Sequence, residues 1–208
     1  MTCFLNSYRS LARFKEGQTA IQNGMKPYID YSCRKEPDFR SAYPSISGLC
    51  RPNFAPRLHE GDYVAYITVK GRYGDLPFSH WRLPAILEVV HRFETHQDAA
   101  AWYRAQGLPL PSNCMVSDNP PLSIEYAVPI PEFGTDIRRW DAAYHKRARE
   151  HSVFLACKAR YLELVEPPII THETMLSIFG RIPGTQNAVR ITQAQFDALA
   201  KLAQEHVA

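Results

Sequence analysis

The chain alternates between short apolar runs and proline- or glycine-containing polar segments, and the apolar runs predict β-strands. A Gly-Asp turn at residues 61–62 opens an aromatic and β-branched run that reaches about residue 70. A second run covers residues 81–93 and a third covers residues 154–165. Residues 28–34 alternate aromatic and polar side chains, as a strand with one buried face does. The pattern therefore predicts at least four strands.

Other segments carry helical periodicity or helix-start signals. A capping threonine opens a predicted helix over residues 95–107, and a glycine ends it. Residues 135–151 repeat apolar residues every three to four positions, which gives a helix one apolar face. These apolar residues are Ile137, Trp140, Tyr144 and Ala148. Thr192 and Gln195 form a capping box for a last helix. The mixture predicts an α+β fold, with a curved, mostly antiparallel sheet and helices around it.

The length of 208 residues indicates one domain, or a tight domain with an extension. The turn dipeptide Asn23-Gly24 separates residues 1–24 from the organised sequence. We expect residues 1–24 to be a flexible or loosely docked N-terminal extension and residues 25–208 to be the domain. The helical segment at about residues 96–150 is interpreted as an insertion into that domain.

Charge and cysteine content narrow the class of protein only a little. The net charge of +3 permits nucleic-acid binding without arguing for it. The five cysteines are scattered, and no pair has CxxC spacing, which favours reduced thiols in a cytoplasmic protein. No apolar run approaches the roughly 20 residues needed to span a bilayer. A cytoplasmic protein with no membrane partner is the expectation.

Motifs of the common enzyme classes do not occur in this sequence. There is no GxGxxG, P-loop, GxSxG or HExxH, so no cofactor and no metal site is predicted. Glu36 and Asp38 could serve as nuclease acids, and Cys50 beside a histidine could be a nucleophile. A buried, small apolar role is the commoner one for a cysteine. The sequence thus offers no recognisable catalytic constellation.

The stretch of residues 47–68 offers a different chemistry. It joins a polar, basic loop to the strand that follows the Gly-Asp turn, and aromatic residues lie on the strands expected beside it. A flipped or single-stranded base is bound by stacking on aromatic rings and by hydrogen bonds to its edge. Core packing accounts for the same aromatic residues, so composition alone does not decide between the two roles.

Three segments in order resemble EVE domains. The segment MKPYIDYSCRKEPDF is similar to their aromatic first strand with its Lys-Glu-Pro-Asp turn. GLCRPNFAPRLHEGDYVAYIT resembles the stretch in which a Gly-Asp pair precedes an aromatic strand, and LPAILEVVHRF resembles the strand after it. The segment SIFGR at residues 177–181 is closer to the nucleotide-modification-associated (Nmad) domains. The resemblance covers residues 25–95 well and residues 150–192 loosely.

The resemblance implies a PUA-like, barrel-like fold and a non-catalytic module that binds nucleic acid. It implies recognition of a modified or flipped base, in DNA or, as the second choice, in RNA, and association with base-modification or restriction proteins. With the aromatic and polar pattern, it implies that Tyr31 and Trp81 stack on the base. The full set of predicted base-binding residues is Tyr31, Ser32, Ser47, Cys50, Asn53, Tyr66, Thr68 and Trp81. The predicted phosphate-binding residues are Arg51, Arg57 and Arg82.

Two alternatives stay open at this point. The first is a nucleotide-processing enzyme or nuclease that uses the same cleft with Glu36, Asp38 or Cys50, which convergence of two carboxylates would favour. The second is a protein-interaction module with residues 96–150 as its contact surface, which a large exposed apolar patch there would favour.

Overall fold

A computed structural model, which describes residues 1–184 and 186–207, contains a six-stranded mixed sheet. In the order of the sheet its strands are β2, β6, β5, β3, β1 and β8. Their bounds are β1 Cys3–Tyr8, β2 Ser45–Ser47, β3 Tyr63–Thr68, β5 Ala85–Phe93, β6 Phe154–Leu162 and β8 Val189–Ile191. The short strands β4 Trp81–Arg82 and β7 Ile169–Ile170 form a separate two-stranded ribbon. The predicted α+β class and the mostly antiparallel sheet are therefore confirmed.

Within the described residues, five helices pack around this sheet. They are α1 Gly17–Gln22, α2 His96–Ala105, α3 Ile137–Glu150, α4 His172–Phe179 and α5 Gln193–Val207. Three 3₁₀ turns cover Leu11–Arg13, Ala55–Arg57 and Ile124–Tyr126. Thr95 caps α2 by accepting a hydrogen bond from the Asp98 amide at 3.1 Å, as its sequence predicts. Thr192 and Gln195 bond each other reciprocally as the predicted capping box of α5.

The first strand corrects the expectation of a loosely docked extension at residues 1–24. β1 lies inside the sheet, parallel to β3 and antiparallel to β8. All six of its residues are buried. The amide of Thr2 donates to the Asp62 carboxylate at 2.7 Å, which fastens the beginning of β1 beside β3. The run of β1 was too short and too polar at Asn6 and Ser7 to stand out in the sequence.

The sheet divides the core into two layers, because side chains alternate between its faces. Phe4, Tyr8 and Tyr66 belong to one apolar cluster, which is covered by the loops at residues 37–58. Leu5 and Ile67 belong to the opposite cluster. Helices α4 and α5 cover that opposite face through Met175, Phe196 and Leu199.

Two expectations about β-structure differ from the observed fold. Residues 28–34 are not a strand: nearly all are buried instead of every second one, and only Asp30 makes an isolated bridge, with Ser10. They run as a loop that packs between β1 and the 96–150 segment, so both sides of the chain are covered. The six-stranded sheet has β2 and β8 at its two edges and is not closed into a barrel.

A run of charged residues at positions 34–38 is buried where the sheet meets the 96–150 segment. Arg34 makes a two-pronged ion pair with Asp141 of α3, at 2.6 and 3.1 Å. Its other nitrogen donates to the carbonyls of Ser112 and Asn119. Lys35 donates to the carbonyl of Tyr126 at 2.6 Å. These bonds attach the 96–150 segment to the rest of the domain.

We predict that Arg34→Gln lowers the free energy of unfolding by about 3–5 kcal/mol, because it leaves the Asp141 carboxylate without its buried partner. Denaturant unfolding monitored by circular dichroism measures this change. Arg104→Gln is the matched control, since it removes an exposed pair with Asp118 and should cost no more than about 1 kcal/mol. A loss for Arg34→Gln as small as that of the control would contradict the prediction.

Candidate functional site

A cavity of about 640 Å³ opens beside the ends of β1 and β3 and beneath α3. That volume falls in the range of small-molecule sites. Loops at residues 30–37, 47–54 and 130–133 complete its wall. Its principal lining residues are Asn6, Tyr8, Arg9, Asp30, Tyr31, Glu36, Ser47, Cys50, Arg51, Tyr66, Glu132, Phe133, Trp140, Tyr144 and Arg147.

One wall of the cavity is aromatic. Trp140 lies between Phe133 and Tyr144, with ring centroids 6.2 Å from each and interplanar angles of 23° and 25°. Tyr31 approaches Trp140 from the other loop at 6.4 Å. Trp140 and Tyr144 are one helical turn apart on α3, so the helix presents both rings on one face. Such a wall suits a flat, aromatic ligand.

Two buried polar atoms lie side by side in the residues that line the cavity. Asn6 and Tyr66 are direct partners across β1 and β3. Asn6 Oδ1 and the Tyr66 hydroxyl are both buried and lack a hydrogen bond of normal geometry, although the Asn6 side chain acts on Tyr66 as a hydrogen-bonding neighbour. Buried polar groups are nearly always fully satisfied, so two incompletely bonded groups at one place indicate a site for a polar ligand edge or for water.

Two carboxyl groups also line the cavity, and burial raises the pKa of both. The pKa of Glu36 is raised to about 8 by desolvation, which outweighs the hydrogen bonds from Ser47 and Asn113. The pKa of Asp30 is raised to about 6 by the same cause, against hydrogen bonds from Ser32. At neutral pH Glu36 is therefore mainly a neutral acid, and it adds little negative charge to the cavity.

Three arginines give the cavity a cationic component. Arg9 and Arg147 are exposed, and Arg51 is half-buried. Arg51 donates to the carbonyl of Ser7 at 2.6 Å, and Arg147 donates to the carbonyl of Leu49 at 3.1 Å. Glu132 is the exposed acid that lines the same cavity. These charges favour a ligand whose negative charge lies near the opening of the cavity.

The structure brings five of the residues predicted from sequence to this cavity. They are Tyr31, Ser47, Cys50, Arg51 and Tyr66. Ser47 closes β2, whereas Cys50 and Arg51 follow the tight turn at Gly48. A Cβ at Gly48 would lie 2.7 Å from Cβ of His151, so only glycine fits where this loop passes the end of α3.

Four other predicted residues lie outside the cavity lining. Ser32 is buried, and its amide and hydroxyl donate hydrogen bonds to the Asp30 carboxylate, so it positions a group that lines the cavity. Thr68 is buried and accepts a hydrogen bond from the Arg82 amide at 3.0 Å. Asn53 is exposed and is not among the lining residues. The Arg57 guanidinium lies 5.4 Å from the centre of the Phe4 ring and also falls outside the lining.

Trp81 lies on the other side of the sheet from Tyr66, and Arg82 follows it on β4. Trp81 packs with Ile67 and Ile170 in the opposite core layer and is not among the residues that line the cavity. Arg82 is buried and donates to the carbonyl of Pro167 at 2.7 Å and to His80 at 3.1 Å. Neither residue is therefore part of the cavity in which base stacking and phosphate binding were expected. The reason is that β4 pairs with β7 instead of extending the main sheet.

Sequence reasoning missed several lining residues. Trp140 and Tyr144 were interpreted only as the apolar face of an amphipathic helix, and that same face lines the cavity. The signal that could have found them is the presence of two aromatic side chains one helical turn apart on the same face of α3. Asn6 belongs to the strand that was expected to be an extension, and its polar side chain between Phe4 and Tyr8 was the signal there.

Other kinds of site are not indicated. Within residues 1–184 and 186–207, no cluster of three or more His, Cys, Asp or Glu side chains is placed to hold a metal ion. Over the same ranges, no helix combines the length and apolar character needed to cross a bilayer.

Comparison with known proteins adds no family to this picture. No family model matches the chain, and no curated protein matches it. Among solved structures, a hypothetical protein from Leishmania major is similar over 100% of this chain and 98% of its own, at 11% identity and a TM-score of 0.39. A similarity of that size carries no argument about fold or function.

We predict that Glu36 makes the protein less stable as the pH rises from about 4.5 to about 8. In that window the folded state keeps a proton that the unfolded state has lost, so raising the pH favours unfolding. Denaturant unfolding across the window should show this slope, and Glu36→Gln should flatten it. Asp30 adds a slope of the same sign at lower pH, up to about 6.

The control variant is Glu150→Gln, which changes an exposed glutamate on α3. It should leave the slope as it is in the native protein. We expect the Glu36→Gln protein to be less stable at every pH, because its amide meets the donor Asn113 Nδ2, so the slope and not the level is the readout. An unchanged slope in Glu36→Gln would refute the neutral state of this acid.

Proposed function

We propose that this protein is a non-catalytic nucleic-acid-binding module that holds a modified or flipped nucleobase, in DNA rather than RNA. The observation that carries the proposal is the cavity beneath α3, which combines an aromatic wall, two incompletely hydrogen-bonded polar atoms and three arginines. The proposal includes a relation to the EVE and Nmad group of PUA-like domains, which rests on the resemblance of residues 25–95. Five free cysteines are in keeping with a cytoplasmic protein.

In this proposal the base enters between the aromatic residues and stacks on Tyr31 and Trp140. Its polar edge meets Asn6 Oδ1 and the Tyr66 hydroxyl, which can accept and donate respectively. Stacking is tolerant of base identity, whereas the edge contacts select among bases. Burial of these two atoms makes a ligand without a matching edge costly to bind.

The backbone of the nucleic acid would pass the arginines of the same cavity. Arg9 and Arg147 are exposed, so their guanidinium groups can reach phosphates outside the base pocket. Arg51 keeps its predicted role in phosphate binding, because it is the one of the three predicted phosphate-binding arginines that lines the cavity. Binding should therefore weaken as the salt concentration rises.

The enzyme alternative has less support. Both oxygens of Glu36 accept hydrogen bonds, from Ser47 and Asn113. Asp38 is held by Arg40 and Ser112 and lies outside the cavity lining. The two carboxylates that a nuclease would need are thus already engaged with protein groups.

The protein-interaction alternative also has less support. The exposed large hydrophobic side chains among the described residues are Met1, Phe78, Leu162, Val165, Leu176 and Ile182. None of these belongs to the 96–150 segment that was considered as the contact surface.

We predict that Tyr31→Ala weakens binding of oligonucleotides by about tenfold or more, because a stacked base contributes about 1–3 kcal/mol. Fluorescence anisotropy with modified and unmodified DNA and RNA oligonucleotides measures this. Phe78→Ala is the matched control, since it removes an exposed aromatic ring outside the cavity. The proposal fails if no oligonucleotide shows salt-sensitive binding to the native protein.

We predict that Arg147→Gln weakens binding of all sequences alike and lowers the slope of log affinity against log salt by about one, as loss of one phosphate contact does. The same anisotropy assay, repeated over a series of salt concentrations, gives this slope. Arg138→Gln on the exposed face of α3 is the control and should keep the native slope. A drop in affinity for one base only would show that Arg147 contacts bases instead of phosphates.

A further inference from the structure

A second cavity, of about 540 Å³, lies where the beginning of α2 meets the end of α3. Residues from the start of α2, the loop at 115–118 and the last turns of α3 line it. It shares no lining residue with the aromatic cavity, although α3 contributes to both. The two cavities are therefore separate sites on the two sides of one helix.

His96 is the buried polar group of this second cavity. The residue is 3% exposed, and its Nε2 has no hydrogen-bond partner. Its Nδ1 accepts a hydrogen bond from the Met115 amide at 3.0 Å, so the neutral ring carries its proton on Nε2. Burial lowers the pKa of this imidazole to about 4, which keeps the ring neutral near pH 7. His96 thus supplies one unsatisfied N–H donor.

The start of α2 adds a second feature that favours an acceptor. His96 and Gln97 are the first residues of the helix, and both line the cavity together with the capping residue Thr95. Amide groups at a helix start point outward and carry partial positive charge. Asp98 uses part of this charge through its bonds with Thr95, so the helix start alone would be a weak site.

Charged side chains around the cavity complete its electrostatics. Arg149 is exposed and lines the cavity from the last turn of α3. Arg104 also lines it and pairs with Asp118 at 2.6 Å. His145 lies 3.5 Å from Asp141, whose carboxylate is already held by Arg34. The charges of Arg104 and Asp118 cancel, so the positive charge of Arg149 gives the cavity lining a net positive charge.

We propose that this cavity is a second binding site, for an oxyanion of the phosphate class. The Nε2–H of His96, the amides at the start of α2 and the Arg149 guanidinium are its donors. The phosphate group can come from free phosphate or from the backbone of a nucleic acid. The proposal does not rest on base recognition in the aromatic cavity.

The test follows the imidazole resonances of His96 by NMR while the full-length protein is titrated with inorganic phosphate. A short oligonucleotide is the second titrant, and sodium chloride at matched ionic strength is the reference. We expect a saturable shift of His96 with phosphate or with the oligonucleotide and none with chloride. Saturation by phosphate indicates a site for the free anion, whereas saturation by the oligonucleotide alone indicates a backbone phosphate.

Two variants identify the donors. Arg149→Gln should weaken the interaction about tenfold, as loss of a charged hydrogen bond does. His96→Asn keeps an acceptor for the Met115 amide but has no nitrogen at the position of Nε2, and its affinity should fall similarly, measured by calorimetry. Arg138→Gln, on α3 outside both cavities, should bind as the native protein does.

The proposal is overturned if neither titrant gives a saturable shift of His96, or if Arg138→Gln loses as much affinity as Arg149→Gln. The Tyr31→Ala protein distinguishes binding at this site from binding in the aromatic cavity. It should keep the response of His96 to phosphate, whatever happens to its binding of oligonucleotides.

Discussion

The burial of the charged segment at residues 34–38 is the constraint on which the rest of the structure depends. Arg34, Lys35, Glu36 and Asp38 are all at most 6% exposed. Buried polar and charged groups persist only when they are hydrogen-bonded or paired. The partners come from α3, from the loop at 112–126 and from β2, so this segment determines how those elements meet.

The sequence was sufficient for elements whose signals are local. The caps at Thr95 and Thr192 and the apolar run of β3 depend on neighbouring residues, and each lies where it was predicted. Prediction from sequence failed where the position of an element in the fold depends on partners far away in the chain. Trp81 was expected beside Tyr66, but its strand pairs with residues 169–170 and places the ring in the opposite core layer.

The candidate site was only half accessible to sequence reasoning for the same reason. Tyr31, Cys50 and Arg51 lie in loops that surround the expected strand, and the structure places them in the cavity lining. Trp140 and Asn6 come from elements far away in the chain, and a helical or strand-like pattern says only that one face is covered, not by what. The face of α3 that was expected to bury itself against a core is shared between core and cavity.

The position of β1 in the sheet also sets the order in which the domain can be completed. β1 pairs on one side with residues 63–68 and on the other with residues 189–191. Both partners follow β1 in the chain, and β8 is separated from it by most of the domain. Until β8 has been synthesised, one edge of β1 stays open to pairing with other chains. Closing this edge joins distant parts of the chain, and such contacts form slowly.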